Sequence, residues 1–573
     1  MNVVALKYFK KNKMIMKLAL LSNLILLAFS TASAAHSPTL ILMGGSYQTC
    51  SSLDSDDCLP NHKDFVGARL PSTYGIDVKM FSAILDPVYW QTRDRPPPIL
   101  DLKQMLETSH SRALGKTYSS ADLMKLFETV DAKTWNSLLV LEQDMILSAF
   151  ELPQFNQGKR LKEGVHLNGS IGGHDAVLFK RFVQEAALRS PGKKPRIAFV
   201  TSAANNNFDA VDFYREIFQQ AGAEVVWWPI DWTMNKAIFG AQTCKALPQL
   251  RQVYFSQLGR EGIFPDLAAQ QSAACATPDA LAEIPNNVQG IFLDGGDQWL
   301  HQNTFFDANG HPNSWLTNIK TAFLKGDLVV AGTSAGTAVQ SGIAMITNGT
   351  SANALQRGVK IYGSMPEGCE QAKRCPKDLQ EDDLSYWPNA GLSLVGPLLM
   401  DTHVSERKRE LRFISLLAHV QAQAGIGIDE TSAVMLKIEK SAMSVEAFGR
   451  SGAWWFMKPS AGITAESIVL NAHYLAPGKV LYWKNGSIVA NNLAAFTSRP
   501  GSLEVTDALK GAGIRDAVWK MVSKHYSNVE LSAPEHQINI ITTPQSRQWQ
   551  GSNGHQGITD LLIKITKDNN LEK

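Results

Sequence analysis

Short apolar runs that end in small residues recur along the chain as far as about residue 430. Leu40-Ile-Leu-Met43 runs into Gly44-Gly45, Ile197-Ala-Phe-Val200 into Thr201-Ser202-Ala203, and Ile291-Phe-Leu293 into Asp294-Gly-Gly-Asp297. Further along, Leu328-Val-Val-Ala331 enters Gly332-Thr-Ser-Ala-Gly336, Leu398-Leu-Met400 enters Asp401-Thr-His403, and Ala424-Gly-Ile-Gly-Ile428 enters Asp429-Glu430. None alternates apolar with polar residues, so each predicts a strand buried on both faces. Helix-length stretches lie between them, over 176–188, 208–221, 315–324 and 404–422. In the first, Val177, Phe179, Phe182, Val183 and Ala187 form the expected core stripe. Strands alternating with helices predict an α/β fold, a parallel sheet sandwiched by helices. In such sheets, sites form at the carboxyl edge.

The alternation is interrupted twice. Residues 47–160 carry Cys50, Cys58, a proline cluster at Pro96–Pro98 and helical stretches near Ala121–Phe127 and Trp135–Phe150, which reads as a large N-terminal insertion. Residues 350–390 are irregular and hold Cys369 and Cys375, a second insertion. The expected division is a targeting segment over 1–34, a core over 35–450 and a β-rich C-terminal appendage over 451–573. In the appendage, Val480–Val489 predicts a hairpin turning at Asn485-Gly486, and Ile538–Thr542 and Leu561–Thr566 predict strands.

Composition narrows the reading little. With 573 residues, 44% hydrophobic, 19% charged and a net charge of +2, the chain is neither disordered nor built for nucleic acid. The N-terminus changes more. Lys7, Lys10, Lys11, Lys13 and Lys17 precede the apolar stretch Leu18–Phe29, and Ala32-Ser33-Ala34 follows. This predicts a cleaved export signal and a mature protein in the periplasm or outside the cell, with no stable membrane span. Cleavage takes the net charge from +2 to about −3. Six cysteines fall into local pairs, Cys50 with Cys58, Cys244 with Cys275 and Cys369 with Cys375. In an exported chain that favours three short-loop disulfides, with zinc and free thiols as the competing uses.

Candidate chemistry centres on Gly332-Thr-Ser334-Ala-Gly336, a G-x-S-x-G turn between a strand and a helix start. Glycines on either side let strand and helix meet at a sharp corner, with the serine hydroxyl exposed at its tip. A serine hydroxyl needs a base, and His403 stands at a predicted strand end. A histidine base needs a carboxylate. Glu430 lies at the next strand end, with Asp401 and Asp429 as competitors. The order Ser334, His403, Glu430 departs from the serine, acid, histidine order of α/β-hydrolases.

Four segments together, Phe292-Leu-Asp-Gly-Gly-Asp-Gln298, Gly332-Thr-Ser-Ala-Gly336, Asp401-Thr-His-Val-Ser-Glu-Arg-Lys-Arg409 and Gly427-Ile-Asp-Glu-Thr431, resemble the cyanophycinase branch of peptidase family S51. The resemblance runs from about Thr39 to Arg450 and leaves the first insertion and the C-terminal region unexplained. It implies a class I glutamine amidotransferase-like, flavodoxin-like three-layer fold. It implies that Ser334, His403 and Glu430 are catalytic, and that the amides of Gly296 and Ala335 form an oxyanion hole. It also implies that Gln298, Asp401, Thr402, Arg407, Arg409 and Arg412 face the substrate. Side-chain-free Gly296 is expected to let the substrate carbonyl approach. The family usually has glutamine where this chain has Thr402, and alanine where it has Thr337.

The expected function is that of an exported serine peptidase acting through an acyl-enzyme on a peptide or isopeptide bond. The family substrate is cyanophycin, poly-aspartate bearing arginine on its side-chain carboxylates, and a related aspartyl polymer is the other expectation. No metal or organic cofactor is expected, no nucleic acid partner, and a homodimer is left open. The competing readings are a non-catalytic exported binding protein on the same fold and an esterase using the G-x-S-x-G serine.

Overall fold

The computed structural model describes residues 36–459, 467–489, 492–505, 507–510 and 513–568, so the expected export signal lies outside the described residues. Four of the predicted strands and a fifth, Glu224–Trp227, form the parallel core of a nine-stranded sheet. Their spatial order is Thr39–Met43, Val329–Thr333, Gly290–Leu293, Arg196–Val200 and Glu224–Trp227. Leu40, Ile41, Leu42, Val329, Val330 and Ala331 have no exposed surface, as continuous apolar runs require. One face packs on the helix His174–Ala187, whose core residues are Ala176, Leu178, Phe179, Phe182, Val183 and Ala186. The expected stripe was therefore misplaced at two positions. Val177 is 50% exposed, and Leu178 and Ala186 take the places given to Val177 and Ala187. Leu178, Phe182 and Ala186 follow the i, i+4 spacing that brings helix positions onto one face.

On the other side of Thr39–Met43 the sheet turns antiparallel. Ser432–Ile438 pairs with Thr39–Met43, then come Met443–Gly449, Val480–Lys484 and Ser487–Val489. The predicted hairpin is present, and Asn485 (φ 52°) and Gly486 (φ 75°) both adopt the left-handed conformation a type I′ turn needs.

The strands Leu398–Thr402 and Ala424–Ile428 do not join this sheet. They pair in parallel with each other and begin a second sheet that continues through Ala453–Met457, Ser467–Leu475, Gln556–Lys567, His536–Thr542 and Tyr526–Ala533. The single expected sheet is thus two. The C-terminal region, read as an appendage, contributes strands to both. Apolar runs predict buried strands, but they do not say which sheet takes them.

The first insertion forms helices Ile99–Ala113, Ser120–Trp135 and Val140–Phe150 around its own core of Leu102, Leu106, Phe127, Met145 and Phe150. Buried arginines tie it to the rest of the chain. Arg260 bonds Glu151 at 2.5 Å and the carbonyl of Ser148, and Arg374 forks onto both oxygens of Glu142. Arg69 reaches Asp209, and Arg160 reaches Asp212 and Asp266. Arginine's planar fork suits such bidentate contacts. The three expected disulfides are present, Cys50–Cys58, Cys244–Cys275 and Cys369–Cys375.

Candidate active site

Ser334 follows the Val329–Thr333 strand with φ 49° and ψ −112°, a backbone conformation sparsely populated by non-glycine residues. Holding it there costs about 1–3 kcal/mol. Close backbone approach explains the flanking glycines. A Cβ on Gly332 would lie 2.1 Å from the Gly336 carbonyl oxygen, and one on Gly336 would lie 2.3 Å from that of Leu293. Thr337, the departure noted from sequence, is buried. Its hydroxyl accepts from the Met43 amide at 2.9 Å and bridges to the carbonyls of Met43 and Gly332. The helix expected after Ser334 is a single turn, Ala335–Ala338.

The second sheet supplies the remaining groups. His403 follows the Leu398–Thr402 strand, and its Nε2 lies 2.8 Å from Ser334 Oγ. Its Nδ1 lies 2.8 Å from Glu430 Oε1. With Nδ1 protonated and donating to Glu430, Nε2 is left as an acceptor for the serine hydroxyl. Burial pushes His403 below its ordinary pKa, more than the Glu430 hydrogen bond raises it, and Arg407 and Arg409 push the same way as burial. Burial works to raise Glu430, but hydrogen bonds from His403 and Ser46 outweigh it and hold the carboxyl down at about 2.

The competing acids are committed elsewhere. Asp401 is buried and takes a two-pronged contact from Arg412, Nε to Oδ2 at 2.9 Å and Nη2 to Oδ1 at 2.7 Å. Asp429 has no exposed surface. It accepts from the Ser405 amide at 3.1 Å and from Tyr474 Oη at 2.8 Å. Asp401 and Arg412, expected to face substrate, are therefore occupied by each other. Gln298 is committed as well, its Nε2 donating to the Ile346 carbonyl at 2.7 Å. The Thr402 amide donates to Asp401, and its carbonyl accepts from Arg409 Nη1 at 3.0 Å. Among the described residues, Arg409 has no carboxylate in hydrogen-bond contact, and burial followed by repulsion from Arg412 pulls its guanidinium down to about 9. Arg407 is exposed, 3.4 Å from Glu430 Oε1.

Among the described residues, the amides of Gly296 and Ala335 donate to no protein group, while the Gly336 amide donates to the Asp294 carbonyl at 2.9 Å. The fold itself also demands glycine at 296. At φ 145° a Cβ there would meet the Ala203 carbonyl oxygen of the neighbouring loop at 2.1 Å.

Two positions at the candidate site are not marked by any motif in the sequence, both in the turn after Met43. Gly45 (φ 91°) packs directly on the serine–histidine pair, and a Cβ there would meet His403 Cε1 at 2.7 Å and Ser334 Cβ at 2.9 Å. Ser46 Oγ lies 3.2 Å from His403 Nδ1 and also bonds Glu430. The Gly-Gly turn was the available signal, because glycines at a strand end mark close backbone approach.

Serine, histidine and carboxylate in hydrogen-bonded series on an α/β scaffold are the geometry shared by serine hydrolases. No family model matches the chain. Over 252 residues, 44% of this chain and 70% of the relative, it is 25% identical to a cyanophycinase from Trichormus variabilis. It matches a cyanophycinase from a Nostoc species over the same shares at the same identity. A solved structure described as a peptidase from an acI-B1 Actinobacterium covers 55% of this chain and 90% of its own, with 14% identity and a TM-score of 0.29.

Proposed function

We propose that this chain is an exported serine-type peptidase of the cyanophycinase kind, with the amidotransferase-like fold of family S51, acting on a peptide or isopeptide bond. The observation that carries the reading is the unbroken series from Ser334 Oγ through His403 to Glu430, each link 2.8 Å. His403 Nε2 takes the proton of Ser334 as its Oγ adds to the substrate carbonyl carbon. The developing oxyanion is held by the amides of Gly296 and Ala335. His403 then protonates the leaving amine, and the acyl-enzyme is released by water activated the same way. Glu430 holds the tautomer and stabilises the imidazolium.

The relatives named cyanophycinase support an aspartyl polymer as substrate, either cyanophycin or a close relative. Arg407 and Arg409 are the arginines left to meet its carboxylates, since Arg412 is paired with Asp401. Thr402, shorter than the glutamine usual in the family, argues for a related polymer as readily as for cyanophycin itself. The test is to label the mature protein with a fluorophosphonate and to incubate it with cyanophycin and with β-aspartyl dipeptides, identifying products by mass. Modification at Ser334 and release of dipeptides are expected, and both vanish in Ser334→Ala. Unchanged hydrolysis in that variant would overturn the reading.

A further inference from the structure

The acid end of the triad is held by a residue from the C-terminal region. Arg515 opens the helix Gly513–Ser523. Its Nη1 bonds Glu406 Oε1 and lies 3.1 Å from Asp429 Oδ2. The other oxygen of Glu406 accepts the backbone amide of Glu430 at 2.9 Å. Asp429, adjacent to Glu430, accepts from Tyr474 Oη through the same oxygen at 2.8 Å, and its other oxygen, Oδ1, accepts the Ser405 amide at 3.1 Å. Arg515 itself is fixed by Asp516 at 2.9 Å and lies over the Trp519 ring at 4.7 Å, which in turn stacks on His555. The Glu430 backbone is therefore gripped through Glu406, and the preceding residue through Asp429, by one guanidinium.

We propose that Arg515 is a positioning residue for Glu430, so that the C-terminal region completes the active site. This rests on the serine-hydrolase reading. Arginine suits the task because one rigid group can meet two carboxylates at once. Buried Asp429 and half-buried Glu406 repel each other without it. The peptide between residues 429 and 430 would then shift, and Glu430 Oε1 would lose its 2.8 Å contact with His403.

The experiment compares fluorophosphonate labelling rates of full-length wild type, Arg515→Met, Arg515→Lys and Glu406→Ala across pH, with a thermal melt of each. A displaced carboxylate slows labelling roughly 10–100-fold, the scale of small misplacements in a catalytic group. It also moves the acid limb of the profile to lower pH, because His403 loses the partner that raises its pKa. The groups facing His403 are Glu430, Arg407, Arg409, Ser46 and Ser334. Simple loss of the Arg515 charge has the opposite sign, since removing a cation raises a histidine pKa and moves the limb upward. Glu406→Ala keeps the contact between Arg515 and Asp429 and should reproduce the slowing with the fold intact. Arg515→Lys should recover part of the rate. Wild-type rates and an unmoved limb in both Arg515→Met and Glu406→Ala would overturn the inference, as would slowing that follows melting temperature alone. A wild type that does not label at Ser334 would instead overturn the proposed function beneath it.

Discussion

The two halves of the candidate site are held by different forces. On the nucleophile side, Ser334 is fixed by backbone sterics. Gly332, Gly336 and Gly45 each sit where a methyl group would collide with neighbouring atoms, and Thr337 adds a side-chain polar clasp. On the base side, His403 and Glu430 are fixed by charge. The Asp401–Arg412 pair lies under the His403 turn, and Arg515 with Glu406 and Asp429 lies under Glu430. Steric holding requires specific small residues at points of close approach, two of them flanking Ser334 and one on the turn after Met43. Charge holding requires only complementary partners, which can come from far along the chain.

The comparison can be broken at four points. Glu430→Gln should cost most, about 10⁴-fold in labelling rate, because His403 loses the anion that fixes its tautomer. A melt should show the fold kept, and a rate within tenfold of wild type would remove Glu430 from the triad. Next, Arg412→Leu leaves buried Asp401 charged and unpaired and should destabilise the protein by about 3–5 kcal/mol in urea unfolding. Replacing both members with leucine should recover most of that loss. A double variant as unstable as the single would mean that packing, not charge, holds this turn. Gly336→Ala tests the steric side. The added methyl must displace the Leu293 carbonyl or the elbow itself, with about a 10²-fold slower labelling rate expected from misplacing Ser334. The smallest effect is the position of the acid limb in wild type. The base must be neutral, so labelling rises as pH climbs through the His403 pKa. Burial lowers that pKa, placing the limb below the ordinary histidine value of about 6.5. A limb above that value would mean that Glu430 outweighs desolvation.

The same contrast explains what could be read in advance. The elbow was legible because glycines at −2 and +2 from Ser334 record a local steric demand. His403 and Glu430 were legible as the polar ends of apolar runs. That their strands belong to a second sheet was not, since pairing is decided by partners such as Ala453–Met457 that lie downstream of both. The pairing of Asp401 with Arg412 was hidden for a related reason. On a sequence a basic run looks the same whether it faces substrate or closes on a buried carboxylate. Arg515 carries no local pattern at all, and only the folded chain brings it to Glu406. Ser46 and Gly45 lay within a recognised turn, and what the sequence lacked was the knowledge that this turn packs on Ser334.

The central position of Thr39–Met43 has a kinetic consequence. That strand lies between Val329–Thr333 and Ser432–Ile438, so its partners follow it by about 290 and 400 residues. It cannot be paired on both edges until the Ser432–Ile438 strand has been made, so the sheet closes only after most of the polypeptide is available. Contacts so distant in sequence slow folding. Refolding from denaturant should therefore be slow, with labelling at Ser334 recovering no earlier than this strand does.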